Sequence, residues 1–132
     1  MLKRNERFLI MLLTLALPFG CVGCSDGDSA NYEQISGAEA KALMDSESGY
    51  IIIDARTQEE YDEGHIPGAI LIPEYEIADR AEKELHDKNQ LILVYCRSGR
   101  RSKIAAEELV KLGYTNVKEF GGIIDWKYEI VK

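Results

Sequence analysis

Cys96-Arg97-Ser98-Gly99-Arg100-Arg101-Ser102 puts one thiol, three guanidinium groups, two hydroxyls and a glycine into seven consecutive residues. A thiol is a nucleophile only as its anion. Its ordinary pKa of ~8.5 falls to roughly 3.5–7.5 beside cations or at a helix N-terminus. A fall from ~8.5 to ~6.5 favours the anion by about 2.7 kcal/mol. Gly99 permits a backbone turn in which several amides converge into an anion-binding nest. The segment therefore predicts a Cys96 thiolate at neutral pH, held by loop amides with Arg97, Arg100 and Arg101 close by. The plainer alternative is a small buried cysteine at a strand end, which has no use for three arginines behind it.

The flanking elements suit that chemistry. Leu91-Ile92-Leu93-Val94-Tyr95 is the strongest strand signal in the chain, and residues 102–112 read as a helix. Ala105, Leu109 and Leu112 share one face of it, Glu107 pairs with Lys111, and Gly113 stops it. Ligands of parallel α/β sheets bind beyond the carboxyl ends of the strands. There, a helix N-terminus adds N–H groups and partial positive charge.

The same alternation runs through the chain. Residues 32–35 read as an edge strand. Ser36-Gly37-Ala38-Glu39 has capping-box spacing and opens a helix that carries Ala38, Ala42 and Leu43 toward Asp45. Ile51-Ile52-Ile53 is β-branched and reads as a strand buried on both faces. Thr57-Gln58-Glu59-Glu60 is a second capping box, with a short helix ending near Gly64. The acidic stretch Glu59-Glu60-Tyr61-Asp62-Glu63 reads as a solvated helix face. A short strand over 69–72, a helix over 78–86, a strand over 117–120 and a closing helix over 123–129 around Trp126 complete the pattern. Strands alternating with helices predict an α/β fold, with a mostly parallel sheet of four to five strands and helices on both faces.

Composition narrows the classes. The 132 residues are 45% hydrophobic and 30% charged, with net charge -7. An acidic chain of this kind is no wrapper of phosphate backbones, so nucleic acid is not an expected partner. Three cysteines are too few for a disulfide framework, and two histidines leave little for a zinc site. No metal is expected.

The N-terminus reads as an address. Lys3, Arg4 and Arg7 precede an apolar run over residues 8–17, too short for the ~20 residues of a spanning helix and suited to a secretory signal. Small residues then lead into Cys21 and Cys24, which resembles the lipobox of bacterial lipoproteins. Val22-Gly23 favours Cys24 as the lipidated residue, with Cys21 open. A Cys21-x-x-Cys24 redox pair would need a βαβ setting that a signal core does not provide. Residues 1–24 are thus expected to be a lipoprotein-type signal peptide, 25–31 a flexible tether and 32–132 the domain. The protein is expected to be exported, extracytoplasmic and held at the membrane of a bacterium by a lipid anchor.

The loop at Cys96 resembles the active-site loop of the rhodanese sulfurtransferases. Asp54-Ala55-Arg56, Gly64-His65-Ile66-Pro67-Gly68-Ala69 and Gly121-Gly122-Ile123-Ile124-Asp125-Trp126 agree with that family in order and spacing. The resemblance covers the domain from Tyr32 to Lys132 and implies a rhodanese-like fold. It also implies a two-step reaction: Cys96 takes sulfane sulfur from a small anionic donor such as thiosulfate, and the persulfide passes it to a thiol or cyanide. Arg97, Ser98, Gly99, Arg100, Arg101 and Ser102 would bind the donor, without metal or organic cofactor. Rhodanese-fold phosphatases have five residues between cysteine and arginine, whereas Arg101 is the fifth residue after Cys96. The shorter loop fits sulfur transfer.

Smaller expectations attach to the second shell. Asp54 and Arg56 are expected to form a structural ion pair, His65 to pack a turn, and Trp126 to belong to the core. A non-turnover sulfur carrier or protein-binding module is the alternative to an enzyme. The domain is expected to be a monomer or a homodimer.

Overall fold

The computed structural model describes residues 31–132. The signal segment, Cys21, Cys24 and most of the expected tether lie outside the described residues. Five strands, β1 (Glu33–Gln34), β2 (Ile51–Asp54), β3 (Ile70–Leu71), β4 (Ile92–Cys96) and β5 (Val117–Gly122), form one sheet in the order β1-β5-β4-β2-β3. Every pairing is parallel. Four helices, α1 (Gly37–Ser46), α2 (Gln58–Glu63), α3 (Ile77–Glu84) and α4 (Arg100–Lys111), make the connections.

Both capping boxes form. Ser36 and Thr57 accept from the amides of Glu39 and Glu60, whose carboxylates reach back to the cap amides. Each satisfies N–H groups that a helix start leaves without partners.

The central strand β4 is buried along its whole length, so its side chains feed two cores. Val94 and Cys96 join Ile53, Ile77, Ala81, Ala105, Ala106 and Leu109 beneath α3 and α4. Leu93 and Tyr95 join Ile52, Ile66, Ala40 and Phe120 on the opposite face. This alternation follows from the two-residue period of a strand. Cys96 therefore faces α4, while Tyr95 faces away.

The sheet places a buried polar cluster at the carboxyl end of β2. Asp54 is fully buried and Arg56 5% exposed. Arg56 donates through Nε and Nη2 to the two Asp54 oxygens at 3.0 and 2.7 Å, and through Nη2 to the Gly64 carbonyl at 2.7 Å. Tyr95 donates to Asp54 Oδ2 at 2.6 Å and accepts from the Ile66 amide at 3.1 Å. The expected ion pair is thus structural, tying three chain segments together.

Several expectations need correction. In α1 the buried residue is Ala40, while Ala38 and Ala42 are exposed, because the helix starts at Gly37 and turns Ala40 onto the sheet. Helix α4 begins at Arg100 rather than residue 102. Lys111 pairs with Glu108 at 3.3 Å, not with Glu107. The closing helix is a single 3-10 turn, Ile123–Asp125. The chain then extends, because Val131 must reach His65 in an antiparallel bridge with bonds of 2.8 and 2.9 Å. Trp126 is half-buried and packs on Phe120 with ring centroids 5.6 Å apart.

Removing one partner of a buried ion pair strands the other, at a cost of about 3–5 kcal/mol. Asp54→Ala is expected to destabilise the domain on that scale, measured as a lowered midpoint in urea denaturation.

Candidate active site

Strand β4 ends at Cys96, and only three residues separate it from α4. Such a short joint brings the helix N-terminus back over the end of its own strand. Gly99 makes the turn with φ +105°, a left-handed conformation open to glycine, and serves as the N-cap of α4 without a capping side chain. The Gly99 amide donates to Cys96 Sγ at 3.0 Å. Helix α4 has no acidic residue in its first turn, and the positive end of its dipole favours an anionic sulfur.

Opposing influences act on the thiol. Burial pushes its pKa up. The Ser102 hydroxyl and the backbone amides of Ser102, Gly99 and Ser98 pull it down, and the net result lies below the ordinary thiol value. Backbone dipoles and one hydroxyl thus do what the sequence assigned partly to arginines.

The arginines divide. Arg97 and Arg100 are exposed at the mouth of the loop. Arg101 turns to α2, where Nη1 and Nη2 bind the two Glu60 oxygens at 2.7 and 2.9 Å. Its own pKa is raised, first by the hydrogen bond to Glu60, and the charge of Cys96 adds to the effect. The acidic stretch is therefore not simply a solvated face. Glu60 is a clamp on the Cys96 loop, and Tyr61 is half-buried and donates to the Ala69 carbonyl at 2.8 Å.

Ser102 is fully buried on the inner side of the thiol, with Oγ 3.3 Å from Sγ. The same Oγ donates to Glu119 Oε1 at 2.6 Å. Glu119 was not singled out by the sequence, where it reads as one polar residue in a short strand. It is 3% exposed. A glutamate one strand over from the cysteine leaves no local spacing signal.

The glycine pair shapes the remaining wall. Strand β5 shifts register against β4, with Val94 opposite Glu119 but Cys96 opposite Gly122. That extra residue is a bulge, which bends the strand around the end of its neighbour. A Cβ on Gly122 would stand 2.0 Å from the Arg97 carbonyl oxygen and 2.6 Å from Ser98 Cα. Only glycine lets the loop lie against β5. His65 follows Gly64, the residue that closes α2. Its ring stacks on Tyr61 with centroids 3.7 Å apart, and Nδ1 donates to the Tyr61 carbonyl at 2.9 Å, the expected turn-packing geometry.

Among the described residues, no group of three or more histidine, cysteine, aspartate or glutamate side chains could hold a metal ion. What the site offers is one activated, buried sulfur in a loop that also carries two exposed cations.

The rhodanese-like domain model matches residues 36–129. The thiosulfate sulfurtransferase PspE of Escherichia coli is 44% identical over 73 residues, covering 55% of this chain and 70% of that protein. The thiosulfate sulfurtransferase GlpE of Coxiella burnetii is 36% identical over 97 residues, covering 73% of this chain and 88% of that protein. A solved structure titled as a rhodanese with anions from E. coli is 40% identical, with a TM-score of 0.60. It covers 64% of this chain and 99% of that one.

The Glu60–Arg101 clamp has a pH signature. Arg101 is the main cause that lowers Glu60 from 4.5 to about 2. A depressed carboxylate stabilises the fold above its unfolded pKa, and the gain is lost as pH falls toward the folded value. Glu60→Gln is therefore expected to lower stability at neutral pH and to flatten the loss between pH ~4.5 and ~2 in an acid-denaturation series.

Proposed function

The chain belongs to the rhodanese-like domain family, and from that premise we propose that it is a sulfurtransferase working through a persulfide on Cys96. The observation that carries the reading is the 3.0 Å bond from the Gly99 amide to Sγ, at the start of a helix whose own first turn carries no acidic residue.

The Cys96 thiolate attacks the outer sulfur of a donor such as thiosulfate. A bond forms between Sγ and that sulfur, the donor's S–S bond breaks, and sulfite leaves with the electron pair. The outer persulfide sulfur now carries the negative charge, within reach of the same loop amides. A thiophilic acceptor, cyanide or a thiolate, then bonds to the outer sulfur, and Sγ departs as the regenerated anion. Splitting one transfer into two displacements is covalent catalysis, and neither displacement calls for a metal or an organic cofactor.

In this reading the exposed Arg97 and Arg100 meet the donor dianion, and charge-assisted bonds of this kind are the stronger ones. Arg101 acts from behind, held by Glu60, and keeps positive charge beside the loop. Ser98 and Gly99 supply amides, Ser102 holds the inner side of the sulfur, and Asp54, Arg56 and His65 keep the surrounding segments in place.

The protein is further read as exported and lipid-anchored through Cys24, or Cys21 in its stead, on the basic start, short apolar run and small residues that precede the cysteines. An external thiol or cyanide then completes the cycle, because Cys96 has no resolving cysteine among the described residues.

Purified protein given thiosulfate and cyanide is expected to form thiocyanate, and Cys96→Ser to abolish it. Mass spectrometry after thiosulfate alone should show one added sulfur on the Cys96 peptide. A stable persulfide without thiocyanate would point to a sulfur carrier, and no persulfide at all would end the proposal.

A further inference from the structure

Glu119 is buried, yet the sulfur displacements above make no use of it. Its Oε1 accepts the Ser102 hydroxyl at 2.6 Å and the Gly121 amide at 2.8 Å. The same Ser102 Oγ is 3.3 Å from Cys96 Sγ. A line of three heavy atoms, Sγ, Oγ and Oε1, therefore joins the nucleophile to a buried carboxyl group.

A hydroxyl has one proton and two lone pairs. While Glu119 is ionised, the short contact commits the Ser102 proton to the carboxylate. The Gly99 carbonyl, at 3.1 Å, is a longer and uncharged competitor for that proton. Ser102 then presents a lone pair to the sulfur, and the thiol donates to it. In the reverse polarity a protonated Glu119 donates to Oγ, and the hydroxyl donates to a thiolate. Both arrangements use the same atoms without rearrangement. A single hydroxyl cannot serve two anions at once, and two buried negative charges in one cluster disfavour each other.

We propose that Glu119 is the internal proton acceptor for Cys96, acting through Ser102. The thiol S–H bond breaks as its proton joins Ser102 Oγ, and the Ser102 O–H bond breaks as that proton joins Glu119 Oε1. The products are a thiolate, an intact hydroxyl and a neutral carboxyl group. One negative charge has moved from oxygen to sulfur, and no outside base is needed. Glu119 touches no reacting atom, so its role is that of a positioning residue. The inference rests on Cys96 being the reacting thiol, not on the identity of the donor.

Of the surrounding charges, Arg101 acts on the sulfur, and the others are paired elsewhere or in solvent. From α4, Arg101 senses the sulfur but is bound to Glu60. On β5 the neighbouring Lys118 pairs with Glu33 of β1, on the opposite face of the sheet by strand alternation. Asp54 and Tyr95 also belong to that opposite face, with Arg56 as their counter-charge. Beside α3, Glu76 of the preceding 3-10 turn is bound to Arg80. Arg97 and Arg100 are in solvent at the loop mouth.

Two groups that share a proton titrate as a pair, in two macroscopic steps. The test follows the rate of iodoacetamide alkylation across pH on the full-length protein. It is read at the Cys96 peptide by mass spectrometry, so that Cys21 and Cys24 do not contribute. The wild type is expected to show two rises separated by a plateau, where the pair holds one proton. Glu119→Gln should lose the plateau and leave a single rise. Should that variant fail to fold, Ser102→Ala should give the single rise and Ser102→Thr, which keeps a hydroxyl, the double one. A single rise in the wild type, or a plateau that survives removal of the carboxylate or the hydroxyl, overturns the relay. Thiocyanate formation is measured separately: a plateau without sulfur transfer would keep the relay and remove the proposed function.

Discussion

The site depends on a helix N-terminus aimed at a sulfur atom. Burying a thiol works against its ionisation, because the anion loses water and gains a low-dielectric surrounding. Cys96 is fully buried, so something has to replace that solvation. The Gly99 amide, with the amides of Ser98 and Ser102 and the Ser102 hydroxyl, does so. These dipoles are part of the backbone and do not have to reorganise when charge appears on the sulfur. That is the property that makes preorganised donors effective in catalysis.

Holding those amides on the sulfur is the work of the surrounding chain. Gly99 turns the backbone where a side chain would be strained, and Gly122 lets β5 lie against the Arg97 carbonyl. Glu60 grips Arg101 from α2, so the first turn of α4 is fastened from a second element. On the far face of the sheet, Asp54, Arg56 and Tyr95 join the ends of β2 and β4 to the segment at Gly64 and Ile66. A buried ion pair of this type organises more than it stabilises, since both charges give up water to form it. The organising role fits a cluster whose partners come from three separate stretches of chain.

The loop's cations sort by position. Arg101 is spent on Glu60, whereas Arg97 and Arg100 face solvent. One guanidinium thus builds the scaffold, and two stay in solvent. Composition alone describes an acidic molecule, with net charge -7. The exposed charge on the Cys96 loop is of the opposite sign, so the sign of the whole molecule does not describe this part of its surface.

Strand and helix order were readable along the chain because both periods are local properties. The β-branched run at Ile51, the apolar run ending at Tyr95, the two capping boxes and the thiol–glycine–arginine loop all signal within a few residues. Those signals determined an α/β domain with Cys96 at a strand end under a helix start. Contacts between distant residues left no such trace. Glu60 looked like one more solvated acid until α4 brought Arg101 to it. Glu119 looked like an ordinary polar strand residue until the packing of α4 on β5 set it beside Ser102. The helix expected around Trp126 gave way to the bridge between His65 and Val131, a pairing across 66 residues of chain. Residue types and short spacing sufficed to mark Cys96 and its loop. Only the packing of sheet against helix decided which charges reach it, because electrostatic partners are chosen by distance in space and not by distance along the chain.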